Sequence, residues 1–148
     1  FPGGLGIHTF IEFSKTYGLD LTEADARQMK RVWFNAFPEC KQYLEDDGTD
    51  YCWTLTGRKR GNCRYTAQKN TPFQGLAADG AKLAMYELDR QGISVNMFVH
   101  DEMVCEVPKN ASEAYMSKIE SIMIESMGSV VPDVKISVES QISEVYTK

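Results

Sequence analysis

The sequence predicts an α+β domain with an antiparallel sheet and helices packed on one face of it. Three observations carry that expectation. Residues 93–99 and 103–107 are β-rich runs flanking the polar triplet His100-Asp101-Glu102, so they read as two strands joined by a tight turn. Apolar residues recur at three- and four-residue spacings in several stretches bounded by N-cap and stop residues, which read as helices. The resulting order is helices, hairpin, helix, hairpin, helix, strand.

Taken in order, residues 5–17 carry Leu5, Phe10, Ile11, Phe13 and Tyr17 as a rough helical stripe that Gly18 stops. Thr22 opens Thr-Glu-Ala-Asp, an N-cap pattern with an acid at the third helical position. Met29, Val32, Trp33, Ala36 and Phe37 then form one apolar face, read as core in preference to a stacking platform. Pro38 kinks this helix or starts a second short one through Tyr43 and Leu44, and Glu45-Asp46-Asp47-Gly48 is a turn or exposed loop. Residues 51–56 read as a strand, 57–61 as a basic turn and 62–67 as a return strand.

Thr71-Pro72-Phe73-Gln74 reads as a helix start, with Thr71 as N-cap, Pro72 at the first helical position and Gln74 closing a capping box. That helix runs to about Arg90, with Gly92 beyond it. Its first half, 75–81, is rich in small residues, and two interior glycines cost about 1 kcal/mol each against alanine. A packed strand or a ligand is expected to come close there. Pro108 ends the second strand, and Asn110-Ala-Ser-Glu113 forms another capping box. A helix follows to Met127 with Tyr115, Ile119, Ile122 and Met123 inward, and Gly128 stops it. Residues 134–138 alternate as a strand, which 142–146 continue after a bend.

A length of 148 residues suits one ordinary domain with a sizeable core, and 43% hydrophobic with 25% charged residues fits a soluble globular class. No apolar run approaches the length of a bilayer span, and no signal-peptide pattern opens the chain. Cys40, Cys52, Cys63 and Cys105 form no C-x-x-C pair and no metal-ligand spacing, so they read as reduced thiols of a cytoplasmic protein, with a Cys52–Cys63 bridge across a hairpin as the alternative. The net charge is −5, yet residues 51–78 hold no acid and five cations, Arg58, Lys59, Arg60, Arg64 and Lys69. Such a patch can bind a phosphate backbone or be a solvated basic loop. Glycines on both sides of Arg58-Lys59-Arg60 let the backbone approach a partner closely, and arginines there can engage phosphates bidentately.

The His100-Asp101-Glu102 triplet holds two adjacent carboxylates and an imidazole at the end of a stiff hairpin. Neighbouring carboxylates repel unless water or a cation compensates. The functional reading is a magnesium site, because oxygen donors dominate and no thiolate or histidine cluster accompanies them. The other reading is a solvated acidic turn.

The run Asn70-Thr-Pro-Phe-Gln74-Gly-Leu-Ala-Ala-Asp79, followed about twenty residues later by Val99-His100-Asp101-Glu102-Met-Val-Cys-Glu-Val-Pro108, resembles the C-terminal part of family A DNA polymerases. Cellular members carry N-x-P-x-Q-G-T-A-A-D on a palm helix and V-H-D-E-L-V-F-E-V-P as motif C. Phe1-Pro-Gly-Gly-Leu-Gly6 is similar to the run after the fingers helix of phage-type members, and Tyr17-Gly-Leu-Asp-Leu-Thr-Glu-Ala-Asp-Ala26 and Gly57-Arg58 also fit. The similarity spans the chain in the family's order.

The resemblance implies a piece of a larger right-hand polymerase. Residues 1–50 would be the helical end of the fingers returning to the palm, and 51–148 the palm portion with its antiparallel sheet. It implies that Asp101 binds the two catalytic Mg2+ ions, that Glu102 lies near them, and that His100 sits at the primer terminus. Gln74 and Asn70 would line the duplex minor groove or the template. The implied partners are primer-template DNA, dNTP and a missing N-terminal part of the polymerase. An arginine that the family commonly carries four residues before the matching asparagine is here Thr66, with Arg64 as a substitute. The cellular-type tyrosine near the end of the fingers helix is replaced by Gly3, which suits the phage-like branch. The family's other metal-binding aspartate and its triphosphate-holding lysine and arginine would lie upstream of residue 1, so the piece is expected to be inactive alone. Two further readings compete: a non-catalytic nucleic-acid-binding module, and a metal-dependent hydrolase that adds Asp79 or Glu106 to the triplet.

Overall fold

The computed structural model describes residues 4–45 and 50–146. The order of elements is mixed α and β, and its strands are antiparallel, as expected. They form two separate two-stranded ribbons among the described residues, where the sequence suggested a larger sheet. The chain divides into two compact units, 1–72 and 73–148.

The first unit opens with α1 (Ile7–Thr16) and α2 (Glu23–Ala36). Thr22 caps α2 as its sequence predicts: its hydroxyl accepts from the Asp25 N–H at 3.2 Å, and the Asp25 carboxylate accepts from the Thr22 N–H at 3.1 Å. Two orphan donors of the first turn are thereby satisfied. The apolar stripe of α2 is not core, however. Met29, Val32 and Phe37 are exposed, Val32 at 61%, and only Ala26 of this helix is fully enclosed. Periodicity reports that a face is apolar; it does not report that something covers it.

Pro38 does start a second helix, α3 (Pro38–Glu45). Of the acidic turn at 45–48, residues 46–48 lie outside the described residues. The basic hairpin comprises β1 (Cys52–Trp53) and β2 (Lys59–Arg60), with Trp53 opposite Lys59. The expected return strand at 62–67 is replaced by α4 (Tyr65–Asn70). Asn62, in left-handed backbone at φ 52°, ends the ribbon there. The expected cap at Thr71 is also corrected. Thr71 lies inside a π-helical turn, Thr71–Gly75, and its hydroxyl donates back to the Ala67 carbonyl at 2.6 Å. Pro72 lacks an N–H and its ring crowds the carbonyl one turn back, so widening the helix locally accommodates it without a break.

The end of α3 is held from α4. Lys69 is 4% exposed, and its Nζ donates to the Tyr43 carbonyl at 2.7 Å, while the Tyr43 hydroxyl donates to the Lys69 carbonyl at 3.0 Å. Tyr65 donates to the Leu44 carbonyl at 2.7 Å. The Tyr43 and Leu44 carbonyls lie in the last turn of α3, where a helix has more carbonyls than N–H groups to meet them.

The second unit holds α5 (Leu76–Arg90), the hairpin of β3 (Val95–Val99) and β4 (Glu102–Cys105), and α6 (Ser112–Val130). Leu88, Ile93 and Ile122 form its buried centre, with Val95, Met103, Cys105, Tyr115 and Ile119 packed around them. Helices α5 and α6 thus cover one side of the ribbon. Gly80 explains the small-residue stretch: a Cβ added there would lie 3.3 Å from the Met127 Cα and closer still to its sulfur. What approaches is α6, neither of the two partners foreseen. Gly128 does not stop α6, which ends two residues later with the Val131 N–H on the Met127 carbonyl. Asn110 caps nothing, because a 3-10 turn, Lys109–Ala111, leads into Ser112.

Residues 134–138 and 142–146 are not strands. Alternation cannot make a strand without a ladder partner. The segment is instead held by side chains: Ser140 on Glu120, Lys109 on Glu144, and Tyr146 on Glu102.

Candidate active site

The β3–β4 hairpin explains why an acidic pair can be presented rigidly. Val99 pairs with Glu102, so the connection is the two-residue loop His100-Asp101, and Glu102 is already the first residue of β4. The triplet is therefore a turn of two residues plus a strand end, a refinement of the expected three-residue turn. His100 sits at φ 59°, left-handed backbone that costs a non-glycine residue about 1 kcal/mol or more and recurs at functional sites. Asn96 bulges from β3, since Val95 pairs with Cys105 and Met97 with Val104. Its side-chain carbonyl accepts from the Glu106 N–H at 3.2 Å, repairing the ladder at the bulge. The ribbon's base is anchored in the core by Val95, Met103 and Cys105, and its tip is solvent-facing.

His100, Asp101 and Glu102 are all exposed and brought together at this tip. Glu102 has a partner the sequence did not suggest. The Tyr146 hydroxyl donates to its Oε2 at 3.1 Å. That hydrogen bond, then some burial and the carboxylate's charge, hold the phenol above its usual range. Tyr146 lay in a segment expected to be a strand, so its side chain offered no signal for this contact.

Asp101 and Glu102 are hard oxygen donors of the type magnesium prefers. Their number does not complete a site: among the described residues no group of three His, Cys, Asp or Glu could hold a metal ion. Neither Asp79 nor Glu106 forms such a group with the tip among the described residues. The residues present fit one side of a magnesium centre.

The other predicted residues fall elsewhere. Gln74 is exposed on the π-helical turn, and the Asn70 amide donates to the Thr66 carbonyl at 2.8 Å. Arg58 and Arg60 project from the basic hairpin, and Arg64 sits at the N-cap of α4; all three are exposed. Arg60 is also used structurally, donating to the Thr71 hydroxyl at 3.0 Å. Lys59, the middle cation of the Arg58-Lys59-Arg60 run, has aromatic partners that the charge pattern did not suggest. The Lys59 ammonium lies 4.2 Å from the Tyr51 ring centre and 5.5 Å from that of Trp53, a pair of cation–π contacts that stiffen the ribbon. Two aromatic residues two apart, Tyr51 and Trp53, across a short turn from a lysine could have signalled it.

Comparison with known proteins shows the family. The family model described as DNA polymerase family A matches residues 7–148. The chain belongs to DNA polymerase family A. It is similar to the DNA polymerase I of Aquifex aeolicus, with 28% identity over 98% of the chain and 28% of that protein. It is 34% identical to the thermostable DNA polymerase I of Thermus aquaticus, over 76% of the chain and 17% of that protein. The chain thus spans under a third of the curated relatives it matches. Among solved structures, the polymerase domain of Pol1 from M. smegmatis, in complex with DNA primer-template and dNTP, shares the fold with a TM-score of 0.67 at 24% identity, covering 93% of this chain and 27% of that one. No helix of the described residues is long and apolar enough to cross a membrane.

Proposed function

We propose that this chain supplies the motif C side of the active site of a DNA-templated DNA polymerase, which extends a primer 3′ end by two-metal phosphoryl transfer. One observation carries the reading: a family A chain presents adjacent, exposed carboxylates, Asp101 and Glu102, at the tip of a ribbon whose base is locked into a core. Phosphoryl transfer depends on positioning and on charge stabilisation at fixed points, which a stiff ribbon suits.

In this reading Asp101 is the metal-binding carboxylate and Glu102, steadied by Tyr146, stands beside it. Bound Mg2+ supplies charge neutralisation at the phosphoryl oxygens and a lowered pKa for the attacking primer hydroxyl. His100 contacts the primer terminus. Gln74 and Asn70 reach minor-groove acceptors that every correct base pair offers. Arg58, Arg60 and Arg64 hold backbone phosphates. The remaining metal-binding carboxylates belong to another part of the polymerase, so the 148-residue chain alone performs no synthesis.

Primer extension tests this. The isolated chain with Mg2+, primer-template and dNTP gives no extension. In the complete polymerase Asp101→Ala lowers the rate by on the order of 10³-fold, and Glu102→Ala by about tenfold. Undiminished synthesis by the Asp101 variant would sink the assignment, and synthesis by the isolated chain would sink its incompleteness. A second reading, duplex binding without chemistry, is favoured by the exposed Arg58-Lys59-Arg60 ribbon. It predicts salt-dependent binding that Arg58→Ala weakens while Asp101→Ala changes neither binding nor synthesis.

A further inference from the structure

The base of the basic hairpin brings two thiols together. Cys52 opens β1, and its Sγ lies 3.5 Å from the Sγ of Cys63, eleven residues on. Both are free cysteines. Their proximity is imposed by the backbone. Cys52 pairs with Arg60 in the ladder, Asn62 turns the chain through left-handed backbone, and the Cys63 N–H then bonds the Asp50 carbonyl at 2.9 Å. The Cys63 thiol also lies 3.4 Å from the Arg60 carbonyl. The segment so enclosed carries Arg58, Lys59 and Arg60.

We propose that Cys52 and Cys63 are a reversible thiol–disulfide pair, a modification site that staples the base of the basic hairpin. It goes beyond the polymerase reading and stands independently of it. Cys52 is the half-buried member and reacts first; Cys63 is 9% exposed, and burial, followed by its hydrogen bond with the Cys52 sulfur, pushes its thiol pKa up. The thiolate is the nucleophile, so the more accessible sulfur leads. With a peroxide as oxidant, the Cys52 thiolate attacks the O–O bond, giving a sulfenic acid and releasing hydroxide. The Cys63 sulfur then displaces the sulfenic oxygen as water, forming the S–S bond. In sum, two thiols lose two hydrogens and one hydrogen peroxide becomes two waters. A dithiol reductant reverses the step by exchange.

Intact-mass and peptide analysis of the folded 148-residue chain tests this. After hydrogen peroxide, acid quench, denaturation and alkylation, two of the four thiols are lost to the reagent. Tryptic digestion yields peptide 42–58 linked to peptide 61–64, and dithiothreitol separates them. Native-state trypsin cleavage after Arg58, Lys59 and Arg60 slows on oxidation and recovers on reduction. Cys52→Ser and, separately, Cys63→Ser each leave three alkylatable thiols and abolish both effects. Four alkylatable thiols after oxidation, a linkage through Cys40 or Cys105, or loss of two thiols in either serine variant would overturn the proposal. An unchanged cleavage rate in a chain carrying the 52–63 bond would overturn the stapling role.

Discussion

The two compact units hold themselves together differently. In the second, apolar side chains do the work: Leu88 and Ile93 are sealed from solvent, with Ile122 close behind, between two long helices and a ribbon. In the first, the enclosed side chains are mostly polar. Ser14, Thr54, Gln68, Lys69 and Thr71 are buried, while Phe13, Tyr17, Leu19, Val32 and Phe37 are at least half exposed. Area removed from water stabilises at about 25 cal/mol per Å², so the second unit gains more from burial per helix. The first unit relies on directed links, whose net worth is about 1 kcal/mol each but whose loss strands a buried partner. The candidate metal-binding tip therefore stands on the apolar unit and the basic hairpin on the hydrogen-bonded one.

Leu88→Ala tests the comparison most severely. At 0% exposure it should destabilise the chain by about 3 kcal/mol, within the usual range for buried leucines. Hydrogen exchange should show protection lost across α5, α6 and the β3–β4 ribbon, with α1 and α2 amides unchanged. Uniform loss across the chain would mean that the units unfold as one. Lys69→Ala should cost about 2 kcal/mol, because it removes a charged, buried donor from the half-buried Tyr43. Its exchange signature should be confined to α3 and α4. A change in α6 protection would contradict the division.

These contrasts explain what the sequence could show. The β3–β4 hairpin and the Thr22 cap were legible because the signals are local: alternating apolar residues, and a threonine three residues before an acid. The π-helical turn was not, because Thr71-Pro72 has the composition of a helix start, and only the helix already running from Tyr65 makes it an interior. The exposed stripe of α2 misled for a related reason, since sequence shows which side is apolar but not whether a partner covers it. At the site, family motifs marked Asp101, Glu102 and His100. The Tyr146 contact to Glu102 spans 44 residues and joins an irregular segment to a strand end, so no spacing rule foresaw it.

Thr22→Ala is a smaller perturbation on the hydrogen-bonded side. Losing the cap should cost α2 about 1 kcal/mol. The same cap gives that unit an acid sensitivity. Hydrogen bonds from the Thr22 hydroxyl and then its backbone N–H hold the Asp25 carboxyl below its usual 3.8. A carboxyl depressed in the folded state stabilises above its unfolded value and stops doing so as pH falls through the folded one. The Thr22→Ala effect should therefore shrink below about pH 3.8, read by helix content against pH.

The smallest expected effect lies beside the acidic tip. Tyr146 is exposed, so Tyr146→Phe should leave global stability almost unchanged while freeing the 132–146 segment from Glu102. The sign of its pH dependence is opposite to that of Asp25. A phenol whose pKa is raised in the folded state contributes fully below its ordinary value of 10.0 and loses that contribution as pH rises through the folded value, when phenolate and carboxylate repel. Ultraviolet titration of the wild-type chain should show one tyrosine ionising later than the rest, absent in Tyr146→Phe. In Glu102→Gln the late tyrosine should return toward the ordinary range, because the carboxylate's charge is gone although a hydrogen-bond acceptor remains. A late tyrosine that persists in Glu102→Gln would mean that the hydrogen bond and burial raise it and that the carboxylate's charge adds nothing.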